Sequence, residues 1–397
     1  MKYDFDRVID RTNTHSVKWD KHVLKEFFGT EDVLPAWVAD MDFQCPEPVI
    51  EAVKKKAAEQ IYGYSWHGTP EFYDSIIGWM KRRHNWDIDK DWIIFSPGVM
   101  PAVNVMIRTF TNPGDKIIIQ SPVYYPFFSA VQNNGRQMLN NQLKYENKKY
   151  TFDFEKFEEQ AKDPRTKMFV LCSPHNPVGR VWAEAELKKL GDICLENEVL
   201  VVSDEIHHDL ILSGYRHTVF STLGEEYMDN SVICSAPSKT FNMAGLQISN
   251  VVISNEKMRE EFQYSIVGKN SMMIPNAFGI VALMAAYSEG DEWLDQVMNY
   301  ILDNFRYVKN FLEENLPDVD MVTPEGTYLA WLDFSSLGMN DEDRKEFLLK
   351  KAKVALDNGA MFGLGGEGFE RLNVACPRTI LEEIMNWIYK AIKTEVS

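Results

Sequence analysis

The sequence predicts an α/β protein in which a large domain with a mainly parallel sheet is joined to a smaller α+β domain. Three observations carry that expectation. The chain of 397 residues exceeds the usual size of one domain, and its composition of 45% hydrophobic, 12% aromatic and 25% charged residues is that of an ordinary globular protein. Between about residues 92 and 255, short apolar runs alternate with longer stretches of helical period. Beyond about residue 290 the pattern changes to long amphipathic segments with two short strand-like runs.

Taken in chain order, residues 1–48 are irregular and proline-bearing, at Leu34-Pro35 and Cys45-Pro46-Glu47-Pro48, and are assigned to the small domain and the mouth of any site. Residues 49–290 form the large domain. Its strands are read at 92–95, 116–120, 168–172, 199–203, 231–235 and 250–253, because continuous β-branched and apolar runs fit strands buried on both faces and joined by crossover helices. Residues 291–397 form the small domain, with helices over 293–315 and 341–359 and a strand pair at 328–334 and 371–374.

Charge and cysteine usage exclude several classes. With 59 acidic against 42 basic side chains the net charge is −17, which repels nucleic acid and anionic lipid. Cys45, Cys172, Cys194, Cys234 and Cys376 are odd in number, scattered and set in apolar runs, as free thiols are. The N-terminus lacks a signal-like apolar stretch and no run of about 18 apolar residues occurs, so a cytoplasmic location without a membrane span is expected.

Lys239 stands apart from ordinary surface lysines. The run Ser235-Ala236-Pro237-Ser238-Lys239-Thr240-Phe241 follows an apolar strand, so it occupies a loop at a strand's carboxyl end, where open α/β sheets place their ligands. Two further loops after predicted strands, Asp204-Glu205-Ile206-His207 and Ser173-Pro174-His175-Asn176-Pro177-Val178-Gly179, carry compatible groups. Loops from neighbouring strands converge on one crevice.

With these loops, and with Trp37-Val38-Ala39-Asp40-Met41-Asp42-Phe43, Ser121-Pro122-Val123-Tyr124-Tyr125-Pro126 and Arg371-Leu372-Asn373, the chain resembles the fold type I pyridoxal-phosphate enzymes of the aspartate aminotransferase superfamily. More closely it is similar to the MalY/PatB cystathionine β-lyase (carbon–sulfur lyase) family, which includes cystalysin. The ordered motifs span essentially the whole chain. The resemblance implies pyridoxal 5'-phosphate as cofactor, an amino-acid substrate, and a homodimer with shared active sites.

It also implies roles. Lys239 would carry the cofactor as a Schiff base and then remove the substrate's Cα proton, which requires a lowered pKa. Asp204 would pair with the pyridine nitrogen. Asn176 would donate to the ring's phenolate oxygen, with His207 standing where many aminotransferases have a tyrosine, and Tyr124 would stack on the ring. The amides of Val99 and Met100 at a helix N-terminus would cradle the phosphate, joined by Ser238 and, from the neighbouring subunit, Tyr64. Arg371 would grip the substrate α-carboxylate in a planar fork, with backbone near Ala39 as a second contact.

The phosphate cup departs from the aminotransferase pattern: Gln247 stands where many have an arginine, and Ala236 where they often have a serine. The GxGxxG spacing of Gly363-Leu364-Gly365-Gly366-Glu367-Gly368 comes too near the C-terminus for a dinucleotide unit, and reads as a mobile loop beside Arg371. Glu205, His207 and His208 lack HExxH spacing, so no metal is expected. The expected reaction is β-elimination on cystathionine, cysteine or a related S-conjugate. An aminotransferase on the same scaffold and a cofactor-binding regulator acting through a protein partner are the rival readings.

Overall fold

The continuous apolar runs become strands that feed two cores at once. In this computed structural model, which describes residues 3–396, seven strands form the large sheet. In chain order they are β1 (Ile93–Ser96), β2 (Lys116–Ile119), β3 (Gln137–Asn140), β4 (Thr166–Cys172), β5 (Leu200–Asp204), β6 (Ser231–Ser235) and β7 (Ser249–Val252). They lie side by side as β1-β7-β6-β5-β4-β2-β3. Only β7 runs antiparallel to its neighbours; the remaining four pairings are parallel.

Alternate residues of each strand point to opposite faces. Phe169, Leu171, Val201 and Ile233 enter one core, while Met168, Val170, Val202 and Val232 enter the other. Two-sided burial of this kind, at about 1.5–3 kcal/mol per large apolar side chain, demands apolar residues at every position. It also explains why these strands show no polar alternation. Strand β3, which the sequence reading did not anticipate, is the edge strand; Gln137 is exposed and Asn140 is polar, so its apolar content is too low to register.

Helices cover both faces. Helix Val99–Phe110 packs in one core, and helices Pro70–His84, Glu184–Glu196 and Ala277–Glu289 pack in the other.

A second sheet is made of β8 (Asp320–Met321), β9 (Leu329–Asp333), β10 (Asp357–Asn358) and β11 (Phe369–Asn373), antiparallel throughout in the order β8-β9-β11-β10. The anticipated pair is present, with Trp331 opposite Arg371 and Leu329 opposite Asn373. The long helix Asp291–Asn315 matches its expected span. The helix expected over 341–359 stops at Lys350. Lys353 then takes a left-handed conformation (φ 53°), and Val354–Ala355 becomes a strand alongside Leu34–Pro35. A helix cannot pass through a left-handed residue, and the partner strand some 320 positions earlier is invisible to a local pattern.

The glycine-rich loop 363–368 is tied down rather than free. Val123 donates to the Phe362 carbonyl, the Ser121 hydroxyl to that of Leu364, and the Tyr150 hydroxyl to that of Gly365. Its glycines serve close approach: a Cβ on Gly366 would meet the Gly359 carbonyl oxygen at 2.1 Å.

Candidate active site

Strands β4, β5 and β6 are adjacent, parallel and in register, with Cys172, Asp204 and Cys234 side by side at their carboxyl ends. The three loops that leave them therefore open into one cavity of about 430 Å3. Ten of the eleven residues singled out from sequence line it. Asn176, Asp204, His207, Ser238 and Lys239 come from these loops; Val99 and Met100 from the helix after β1; Tyr124, Ala39 and Arg371 complete it. Tyr64 lies elsewhere, 97% exposed on a non-helical segment.

Lys239 sits in a single helical turn, Pro237–Thr240, that continues from β6. Its Nζ donates to the Ala39 carbonyl at 2.7 Å. Burial lowers its pKa to about 8; the positive charge of Arg371 adds to that, and the negative charges of Asp40 and Asp204 oppose it. A substantial fraction is thus neutral amine near physiological pH. Asp204, 4% exposed, has its carboxyl pushed up to about 7, chiefly by burial, while a hydrogen bond from the Ile206 amide (3.1 Å) and the Lys239 charge pull the other way. A carboxyl so placed is short of a cation. His207 is held well below the usual imidazole range by burial and by the charges of Lys239 and Arg371, so it is neutral. Its Nδ1 is buried without a partner. Burial raises Tyr124 to about 12, so it stays a phenol.

The helix Val99–Phe110 begins at Gly98 with no side-chain cap. The first amides of a helix have no partner within it, and the third helical residue here is Pro101, which has no N–H. The Val99 and Met100 amides are left to point outward, at the positive end of the helix dipole. Gln247 and Ala236 line the same cavity.

Arg371 projects from β11. It donates to the Asn176 Oδ1 (3.0 Å) and the Trp37 carbonyl (2.8 Å), and is paired with Asp357. Its Nε is buried and unpartnered, a strong donor awaiting an acceptor. With Oδ1 occupied by Arg371, Asn176 has its amide Nδ2 left to donate.

Several positioning residues escaped the sequence reading. Tyr328 donates to the Ala39 carbonyl at 2.8 Å, sharing it with Lys239. Asn373 holds the carbonyls of Val38 and Asp40, and Asn242 binds Met41 and Phe43 through three hydrogen bonds. Asp357 shares β10 with Asn358 and faces Arg371 across the sheet. The signal for these is pairing register, which a single sequence does not carry. Glu205 and His208 do not enter the cavity at all. Neighbouring His207 and His208 diverge as expected, but His208 joins His84, Asp209, Glu205 and His217 in a separate cluster.

A mainly parallel seven-stranded sheet with a lysine turn, a buried aspartate and a bare helix N-terminus at one carboxyl edge is the architecture of the fold type I transferases. The comparisons agree. The model of the aminotransferase class I and II family matches residues 38–388. Cystathionine beta-lyase PatB of Bacillus subtilis (strain 168) is 45% identical over 98% of this chain and 100% of its own. A PLP-bound putative aminotransferase from Clostridium difficile 630 superposes with a TM-score of 0.96 at 44% identity, over 98% of this chain and 100% of that one. Cystalysin from Treponema denticola, which contains a pyridoxal 5'-phosphate cofactor, superposes with a TM-score of 0.95 at 43% identity over the whole of both chains. The chain belongs to the aminotransferase class I and II family and, within it, to the branch of PatB and cystalysin.

Proposed function

We propose that this protein is a pyridoxal 5'-phosphate-dependent carbon–sulfur β-lyase. It converts L-cystathionine, cysteine or a related S-conjugate into a thiol or sulfide, pyruvate and ammonia. One observation carries the reading: a buried amine, a cation-deficient buried carboxyl and an unsatisfied buried guanidinium face one cavity, in a chain similar from end to end to a cystathionine β-lyase.

The residues present fit the cofactor. The bare amides of Val99 and Met100, with the Ser238 hydroxyl, suit its phosphate. Asp204 suits its pyridine nitrogen, since a protonated ring nitrogen there would supply the missing cation. Asn176 Nδ2 and neutral His207 suit the ring oxygen, Tyr124 the ring face, and Lys239 the aldehyde carbon. When bound, the cofactor supplies an electron sink conjugated to the substrate's α-carbon.

The chain does the rest. Arg371, aimed by Asp357, Asn176 and the Trp37 carbonyl, presents Nε to the substrate's α-carboxylate, and backbone near Ala39 meets its other side. Lys239 Nζ would take the Cα proton, and its lowered pKa keeps the amine free to do so. Tyr328, bonded to the Ala39 carbonyl, fixes the position of that wall.

Gln247 and Ala236 favour elimination over transamination. A transaminase has to retain its cofactor for part of its cycle by the phosphate cup alone, whereas in a lyase Lys239 would supply a covalent hold. A cup lacking one arginine and one hydroxyl suits the second case. The assay that tests the reading supplies purified holoenzyme with L-cystathionine and measures pyruvate and free thiol, beside a parallel reaction with an amino acid and 2-oxoglutarate. Pyruvate with thiol is expected; sustained turnover in the second reaction alone would favour the aminotransferase.

We further assign residues 1–48 and 291–397 to one domain and 49–290 to the other. Support comes from Leu34–Pro35 pairing with Val354–Ala355, and from the Asn373 amide donating to the Ala36 carbonyl. We propose a homodimer in which Tyr64 reaches the partner's phosphate site. Ile61, Tyr62, Tyr64 and Trp66 form an exposed apolar patch, as an interface requires. No helix among the described residues is long and apolar enough to cross a membrane. All five cysteines are free, in keeping with a reducing compartment, and we place the protein in the cytoplasm.

A further inference from the structure

A second cavity, of about 580 Å3, is lined by His84, His208, Asp209 and His217. The residues come from three places: His84 ends the helix Pro70–His84, His208 and Asp209 follow β5, and His217 lies in the loop beyond. The ligand atoms of His84, His208 and Asp209 lie within 4.8 Å of one another, as do those of Glu205, His208 and His217. His208 is common to both sets. It is 1% exposed, and neither of its ring nitrogens has a hydrogen-bond partner; Nε2 lies 3.3 Å from Asp209 Oδ2 without hydrogen-bond geometry. A buried donor or acceptor left unsatisfied costs about 1–3 kcal/mol, so an imidazole that lines a cavity with Nδ1 unpartnered and Nε2 only loosely beside a carboxylate points to a ligand.

The groups around it are arranged as the outer shell of a metal site. Metal-binding histidines characteristically give their second nitrogen to a carboxylate, and metal-binding carboxylates are themselves hydrogen-bonded. His217 Nε2 is bonded to Glu205 Oε2 (2.8 Å), whose other oxygen accepts from the Ser203 hydroxyl and the Phe220 amide. Asp209 accepts from Trp79 Nε1 (3.1 Å) and from the Thr240 hydroxyl (2.7 Å). Three arginines also line the cavity, but Arg82 and Arg83 are paired with Asp291 and Asp295 at its rim.

We propose that this cluster binds a zinc-class divalent ion. His208, His84 and Asp209, whose donor atoms lie within 4.8 Å of one another, are its ligands, and water takes the fourth position. Imidazole with carboxylate is the donor set of zinc and its neighbours rather than of magnesium or calcium, and the cavity gives the ion a path from solvent. Asp209 and His84 are 2.7 Å apart, closer than two ligands of one tetrahedral ion, roughly 3.3 Å for bonds near 2.0–2.1 Å. Binding therefore replaces their hydrogen bond. The ion would join the end of helix Pro70–His84 to the turn after β5. Through Asp209 it would also stiffen Thr240, the neighbour of Lys239.

The test uses the holoenzyme, freed of metals with a chelator and titrated with zinc chloride by calorimetry and metal analysis. One zinc per chain and a higher melting temperature are expected. His208→Gln should weaken binding by roughly 100-fold while the bound cofactor's visible absorption is kept. Cobalt(II) gives an independent reading: intense four-coordinate ligand-field bands in the parent protein and none in the variant. If His208→Gln does not fold, His84→Gln is read in the same way. No zinc uptake at equimolar metal, or equal uptake by parent and variant, would show a histidine–carboxylate network only and overturn the proposal.

Discussion

Lys239 is buried in the cavity it shares with Arg371, and burial first, then the guanidinium, raise the cost of charging its amine. For Lys239 the consequence is a pKa near 8 instead of the ordinary lysine value. Below that pH the amine is protonated and its reactive fraction falls tenfold per unit; above it the fraction levels off. Capture of cofactor by the apoenzyme should accordingly be about 100-fold slower at pH 6 than on the alkaline plateau, measured by stopped-flow absorbance. A flat profile across this range would remove the role given to burial. Arg371→Lys replaces a planar fork by a point charge; it loses the bond to Asn176 Oδ1 but leaves Lys239, Asp204, Ser238 and the helix amides in place to hold the cofactor. A fall in kcat/KM of about 100-fold, roughly 2.7 kcal/mol, carried mainly by KM, is expected with the cofactor still bound. Gln247→Arg adds a cation to the phosphate cup. Cofactor loss during any side transamination should slow by roughly 10- to 100-fold, followed by dialysis after incubation with an amino acid alone.

At the scale of elements, the segment 37–43 forms one wall of the site although it is neither helix nor strand. It is held by side-chain amides. Asn242 alone makes three hydrogen bonds to it, so Asn242→Ala should cost about 2–4 kcal/mol by denaturant titration and raise KM as Ala39 loses its place. Unchanged stability would mean that the other bonds to the segment, from Arg11, Lys18, Asn373 and Arg371, hold it without Asn242. These contacts also mark where sequence reading stops. The buried strands were legible because two-sided burial leaves no polar alternation, and the lysine, aspartate and asparagine loops were legible because they follow those strands directly. The edge strand β3 lacked the apolar run. The helix from Asp341 was read nine residues too long, to 359 instead of Lys350, because no glycine or proline interrupts the pattern before Gly359. Tyr328 and Asp357 look like ordinary core residues until the register of β9, β10 and β11 brings them to Ala39 and Arg371.

At the scale of the whole molecule, the proposed sharing of sites between subunits can be tested by complementation. In such a dimer Lys239→Ala and Tyr64→Ala would damage the same site from different subunits, so a mixed dimer would retain one site with both residues intact. Random re-association of the two inactive variants should restore about a quarter of parental activity, because half the dimers are mixed and each has one good site of two. No recovery would place Tyr64 outside the site. One feature of the fold also bears on how the protein is made. Arg371 holds the carbonyl of Trp37 across 334 residues of chain. At roughly 5–20 residues per second of synthesis, the segment that carries Trp37 and Ala39 waits about 20 to 70 s for the partner that fixes it. The nascent chain can shape its large sheet during that time but cannot close its pocket, so stable loading of the cofactor belongs to the finished polypeptide and not to the ribosome.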